Sequence, residues 1–158
     1  MIFSQLPSET ERIIFEYFYD EIKDKQYDLK YILHKDIYDS FINALITNTT
    51  QIKLGNGAHP NTQMGPVINA KQLEKIQHYV AIARSEGATC VIGGDVEISG
   101  DCAKGHFYKP TIFIDVTSDM TIFKEEIFGP VLAVTKANSL DHAIELANNC
   151  DYGLSSSL

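Results

Sequence analysis

Apolar residues recur along this chain with two different periods, and the switches between them mark its elements. From Pro7 to about Lys25, Ile14, Phe15, Phe18 and Ile22 fall at helical spacing behind Ser8-x-x-Glu11. That pair can satisfy two orphan N–H groups of a first turn, so a helix is predicted there. Leu29 to His34, LKYILH, is a short run rich in β-formers and reads as a strand. Asp36 is expected to cap a helix over about Ile37 to Ile52, with Phe41, Ala44, Leu45 and Ile52 on one side. Another helix is expected over about Ala70 to Ser85, where Leu73, Ile76, Val80 and Ala83 share an inner face, with Glu86-Gly87 as its stop. ATCVIGG, Ala88 to Gly94, reads as a buried strand meeting a glycine turn. FYKPTIFIDV, Phe107 to Val116, is extended, and Pro110 suits an edge or a strand start because it cannot donate to a ladder. PVLAVTKA, Pro130 to Ala137, is the strongest strand signal, and Ser139 is expected to cap a last helix over about Leu140 to Asn149.

Between these elements, LGNGAHPNTQMGPVIN (Leu54 to Asn69) is dense in Gly, Pro and Asn and must be irregular. Long loops inside compact domains are often functional. DVEISGDCAKGHFY reads as a surface excursion. Strands alternating with helices, and nearly continuous apolar strands such as CVI and VLAV, predict an α/β fold on a parallel sheet covered on both faces. In open sheets of that kind ligands sit outside the carboxyl ends of the strands.

Composition narrows the function classes. The chain has 158 residues, enough for one domain with a real core, and its 44% hydrophobic and 22% charged content is that of a globular protein. A net charge of -8 argues against a nucleic-acid partner, which would need a basic face. The start, MIFSQLPSETER, has neither the basic nor the apolar part of a signal peptide, and no apolar run is long enough to span a membrane. A cytoplasmic, reduced protein is the expectation, which makes the sequon Asn48-Thr49-Thr50 a chance match.

The three cysteines, Cys90, Cys102 and Cys150, lie far apart without CxxC spacing, so neither a zinc site nor a disulfide framework is expected. A nucleophilic thiol wants a helix N-terminus or a basic neighbour. Cys90 lies in an apolar run and reads as buried and inert, Cys102 sits in a polar loop, and Cys150 ends a helix. His34, His59, His78, His106 and His142 form no metal-ligand motif. Gly55-Asn56-Gly57 fails as a dinucleotide loop, since Pro60 stands where the third glycine belongs and loop follows instead of a helix. KEEIFGPVLAV, Lys124 to Val134, is different in kind. One reading is an ordinary turn with Glu125 and Glu126 solvated. The other is a carboxylate held at a strand edge to accept hydrogen bonds from ligand hydroxyls, beside a ring that packs on a flat ligand group.

The same stretch resembles the Glu-Glu-Ile-Phe-Gly-Pro-Val signature of the NAD(P)-dependent aldehyde dehydrogenases. HKDIYDSFINAL (His34 to Leu45), LGNGAHPNTQMGPVINAKQLEKI (Leu54 to Ile76), EGATCVIGG, GHFYKPTIFIDVTSDMTIFKEEIFGPV and AIELANNCDYGLSSSL continue the likeness in the family's order, over roughly Tyr31 to Leu158. The resemblance implies a Rossmann-like portion of the catalytic domain, preceded by a helical segment, residues 1–30, that does not match. It implies that Glu126 binds the hydroxyls of the nicotinamide ribose of NAD or NADP and that Phe128 contacts its nicotinamide side. Gln72 and Lys75 fall on helix positions that in some members lie near that ribose. Glu125, Gly129 and Pro130 look like the scaffold that aims them.

Departures from the family pattern set the expected activity. Where a Gly-Gln-x-Cys stretch should supply the nucleophilic thiol, this chain reads YDEIKDKQYDLKY, with Lys25 at the thiol position and no cysteine before Cys90. The Glu-Leu-Gly-Gly segment of the general base, the glycine-bearing cofactor domain and the C-terminal Pro-Phe-Gly-Gly stretch have no counterpart. Aldehyde oxidation in this family needs a thiolate adduct, hydride transfer to NAD(P)+ and hydrolysis of a thioester. The expectation is therefore a truncated oxidoreductase of the aldehyde class, inactive alone. The alternative is a non-catalytic module that self-associates as a homo-oligomer or pairs with a full-length relative.

Overall fold

A computed structural model describes residues 29–149 and 151. The helix expected from Pro7 to Lys25 lies outside them, as does Cys150. Four strands, β1 (Leu29–His34), β2 (Thr89–Ile92), β3 (Thr111–Ile114) and β4 (Val131–Ala137), form one sheet in the order β1-β4-β3-β2. They are joined by α1 (Lys35–Thr49), α2 (Ala70–Ser85), α3 (Thr121–Lys124) and α4 (Leu140–Asn148), with a 3-10 helix at Gly100–Lys104.

β4 is parallel to β1, with Leu29 opposite Leu132, and parallel to β3, with Thr111 opposite Val131. A strand covered on both faces must be apolar nearly throughout, and in β4 only Lys136 is exposed. Its alternate residues feed two cores, as the period of a strand requires. Leu132 and Val134 meet Tyr38, Phe41, Ile42 and Leu45 of α1. Val131 and Ala133 share the opposite core with Ile76, Val80 and Ala83 of α2, Ile122 and Phe123 of α3, and Leu146 of α4.

The sheet is mixed, not wholly parallel. β2 runs antiparallel to β3, Thr89 opposite Ile114, with an irregularity between Cys90 and Ile92. A parallel neighbour needs a crossover over the sheet face. The excursion between β2 and β3 supplies none: it turns through the 3-10 helix and zips back on itself, Val96 bridging Tyr108. As an outer strand β2 is only half-covered, so Cys90 is partly exposed rather than buried. Pro110 stands immediately before β3, an interior strand, where its missing N–H costs no ladder bond; Thr111 donates the first one, to the Pro130 carbonyl at 2.8 Å.

Caps fix the helix starts. α1 begins two residues earlier than expected because His34, not Asp36, is its cap: the His34 Nδ1 accepts from the Asp36 N–H at 3.4 Å. Ser139 caps α4 as expected, its Oγ accepting from the His142 N–H at 3.2 Å. Asn69 caps α2, its Oδ1 accepting from the Gln72 N–H at 2.9 Å, and Gly87 closes the helix with φ +99°, which glycine adopts without a Cβ penalty. Asn69→Ala should lower stability by about 1 kcal/mol. Urea unfolding checks this as a lower midpoint at unchanged slope.

Candidate functional site

The stretch from Glu125 to Pro130 links α3 to β4 and lies on one stripe of α2. Gln72, Lys75, Ile76 and Tyr79 are spaced three, four and seven residues apart, which places their side chains on one helical face. Gln72 Nε2 donates to the carbonyls of both Ile127 and Phe128, each at 2.8 Å. Lys75 Nζ donates to the Glu126 carbonyl at 2.9 Å. Two side chains of one helical turn thus hold three consecutive carbonyls. Tyr79 adds a side-chain contact, its hydroxyl donating to Glu125 Oε2 at 2.5 Å. The Lys75 ammonium also lies 5.5 Å from the ring centroids of both Tyr79 and Phe128, within range of a cation–π attraction.

Beneath this run the packing is tight. Ile127 is buried, and a Cβ on Gly129 would lie 2.6 Å from Cδ1 of Ile76, itself wholly buried. Only glycine lets the chain approach α2 so closely. Between them Phe128 takes φ +55°, the left-handed region that a bulky residue rarely enters. Such a backbone costs about 1–3 kcal/mol and persists where its surroundings over-determine it. Here the Gln72 amide holds the carbonyls on both sides of the strained Cα. The result turns Ile127 inward and leaves Phe128 41% exposed. Beside it Glu126 is half-buried, and no hydrogen bond or ion pair engages its carboxylate among the described residues.

All four residues singled out in the sequence, Gln72, Lys75, Glu126 and Phe128, are therefore brought together. A free carboxylate can accept two hydroxyl donors at once, and an exposed ring held rigidly beside it can pack on a flat group. The carboxyl-end rule for open sheets does not locate this cluster, which precedes Val131 at the amino end of β4. Sequence reasoning placed Ile76 on the inner face of the helix but missed Tyr79 and the close approach of Gly129 to Ile76. Their signal is the helical spacing from Gln72, which gains meaning only once the opposing loop is known.

The remaining candidates are structural. Burial pushes the Cys102 thiol above its ordinary range, reinforced by the carboxylates of Glu97 and Asp101, which makes it a poor nucleophile. Cys90 Sγ donates to the Ile92 carbonyl at 3.4 Å. His142 Nδ1 accepts from the Asn138 N–H at 3.2 Å, and His78 packs edge-on against Tyr79. Among the described residues, no group of three or more His, Cys, Asp and Glu could hold a metal ion, and no helix is long and apolar enough to cross a membrane.

A family model described as the aldehyde dehydrogenase family matches residues 29–158. A 1-pyrroline-5-carboxylate dehydrogenase of Bacillus subtilis (strain 168) is 42% identical over 127 residues, covering 80% of this chain and 24% of the relative. A betaine aldehyde dehydrogenase of Brucella anthropi is 42% identical over 122 residues, covering 77% and 25%. Among solved structures, betaine aldehyde dehydrogenase of Staphylococcus aureus in complex with NAD+ superposes with a TM-score of 0.78 at 40% identity, over 79% of this chain and 25% of that one. A 3,6-anhydro-L-galactose dehydrogenase in complex with NAP gives 0.87 at 34% identity, over 97% and 32%. The chain thus spans about a quarter of the length of these curated relatives, 24% and 25%.

Proposed function

The chain belongs to the aldehyde dehydrogenase family, and from that premise we propose that Glu125–Pro130 and the facing stripe of α2 form one wall of a nicotinamide-ribose site, serving the NAD(P)+-dependent oxidation of an aldehyde. The observation that carries this reading is the unengaged Glu126 carboxylate beside the exposed, left-handed Phe128. A ribose diol offers two adjacent O–H donors, and the carboxylate supplies acceptors for both. The Phe128 ring offers a flat apolar face to the nicotinamide edge. Gln72 and Lys75 act one step back, fixing the carbonyls of the run that carries both groups. The bound dinucleotide would supply the hydride acceptor; this chain supplies the place where its ribose is oriented. Both NAD+ and NADP+ carry that ribose, so the wall accepts either.

The aldehyde-activating thiol is a separate matter. No cysteine precedes Cys90, Lys25 occupies the position of the family's thiol, and neither Cys90 nor Cys102 stands at this wall. We expect the 158-residue polypeptide to show no NAD(P)+ reduction with betaine aldehyde or 1-pyrroline-5-carboxylate. Turnover abolished by mutating Cys90, Cys102 or Cys150 would overturn that expectation.

Cofactor contact is tested on Glu126. Saturation-transfer NMR with NADH should show weak binding, and Glu126→Ala should weaken it about tenfold or more, the effect of losing charge-assisted hydrogen bonds. Equal signals from both proteins at equal melting temperature would sink the ribose reading. A second reading, pairing between copies or with a longer relative, is favoured by the outward face of α4, where Leu140 is 55% and Ile144 43% exposed one turn apart. A monodisperse monomer in light scattering would count against it.

A further inference from the structure

We infer that Tyr79 is a positioning residue for the Glu126–Phe128 run, acting through a hydrogen bond to the otherwise exposed carboxylate of Glu125. The inference rests on the nicotinamide-wall reading for its functional meaning, though not for its structural one. The main chain from Glu126 to Phe128 is gripped by α2 through Gln72 and Lys75 at its carbonyls. Those bonds fix its depth against the helix. They leave its upstream end to be fixed where α3 finishes: the Glu125 N–H donates to the Thr121 carbonyl at 2.9 Å, and Glu125 itself is already extended, with φ -108° and ψ 158°. Tyr79 meets the chain at this point, with its hydroxyl on Glu125 Oε2.

Three features argue that the contact does more than decorate the surface. Tyr79 lies one turn beyond Lys75, so the three grips descend α2 in register with the run they hold, Gln72 on residues 127 and 128, Lys75 on 126 and Tyr79 on 125. The Lys75 ammonium also lies 5.5 Å from the centroids of both the Tyr79 and the Phe128 rings, so one cation is shared by the latch and by the exposed ring. Finally, adjacent carboxylates have opposite fates: Glu125 is tied to α2 while that of Glu126 is unengaged among the described residues. Holding Glu125 keeps its carboxylate off the hydroxyls meant for Glu126 and stops the neighbouring side chains from exchanging places.

The experiment uses the full chain with four variants, Tyr79→Phe, Glu125→Ala, Glu125→Gln and the Tyr79→Phe/Glu125→Ala double. In the free protein, backbone 15N order parameters of Glu126 to Gly129 should fall in Tyr79→Phe and in Glu125→Ala. They should be retained in Glu125→Gln, whose amide oxygen still accepts the tyrosine O–H. NADH affinity should drop roughly three- to tenfold in the first two, with no further drop in the double variant, because one bond has been removed twice. A purely packing role for the Tyr79 ring predicts the opposite pattern: Tyr79→Phe, which keeps the ring, is silent, and so are both Glu125 variants. Unchanged order parameters in Tyr79→Phe would overturn the inference. Glu125→Ala guards against a variant that fails to fold, since that side chain is exposed. Wild-type protein that never binds NADH, but whose run loosens in Tyr79→Phe, would sink the ribose reading and uphold the latch. NADH binding that depends on Glu126 and ignores Tyr79 would do the reverse.

Discussion

Ile76→Ala is expected to lose about 2–5 kcal/mol of stability, the usual range for emptying a fully buried aliphatic site. Ile76 is wholly buried in the core that α2 shares with α3 and α4, and its Cδ1 is the atom that Gly129 passes most closely. Truncation removes the transfer energy of three carbons and opens a void beneath the Glu126–Phe128 run. A domain of this size has only about 5–15 kcal/mol in all, so the variant would be near its margin. Urea unfolding can be followed by tyrosine emission, since the chain has eight tyrosines and no tryptophan. Ile76→Val separates the two consequences: it should cost about 0.5–1.5 kcal/mol and stay folded, leaving NADH contact measurable on a loosened floor. A loss below 1 kcal/mol for the alanine variant would show that Ile76 does not support this packing.

Gly93→Ala should cost about 2–4 kcal/mol, for a reason rooted in the backbone. Gly93 has φ +71°, and a Cβ there would fall 2.1 Å from the Pro110 carbonyl oxygen and 2.7 Å from Thr111 Oγ1. Neither neighbour can retreat cheaply. Thr111 is buried, donates its N–H to Pro130 at 2.8 Å, and accepts from the Gly94 N–H at 2.8 Å. The clash therefore falls on the seam between β2 and β3. Gly87→Ala is the control, because it carries a positive φ with nothing within 4 Å and so reports backbone strain alone. Equal losses at the two positions would mean that the close approach at Gly93 contributes nothing.

The sequence makes much of this plain where a single local rule decides the outcome. α2 is legible from Leu73, Ile76, Val80 and Ala83, and β4 from the apolar run that opens it, Val131 to Val134. Ser139 follows the capping rule, and Gly87 follows the rule for helix ends. What was hidden depends on partners distant in sequence. The direction of β2 is set by how the excursion folds back through Val96 and Tyr108, not by residues of β2. His34 outcompetes Asp36 as the cap of α1 because β1 runs straight into the helix, leaving His34 as the last extended residue. At the site, Glu126 and Phe128 could be named from the family likeness. The grip on their carbonyls could not, since Gln72 reaches across 55 residues to a main-chain atom that carries no side-chain signature.

That grip also says what kind of object the site is. A loop between two elements ordinarily moves on its own timescale, and binding then selects among its shapes. Here the run is fastened to a sixteen-residue helix at three successive carbonyls and underpinned by Ile76. Loop and helix share their degrees of freedom. A ligand that pushes on Phe128 would meet the stiffness of α2 rather than that of a turn, and any adjustment of the wall should appear as a tilt of that helix against the sheet.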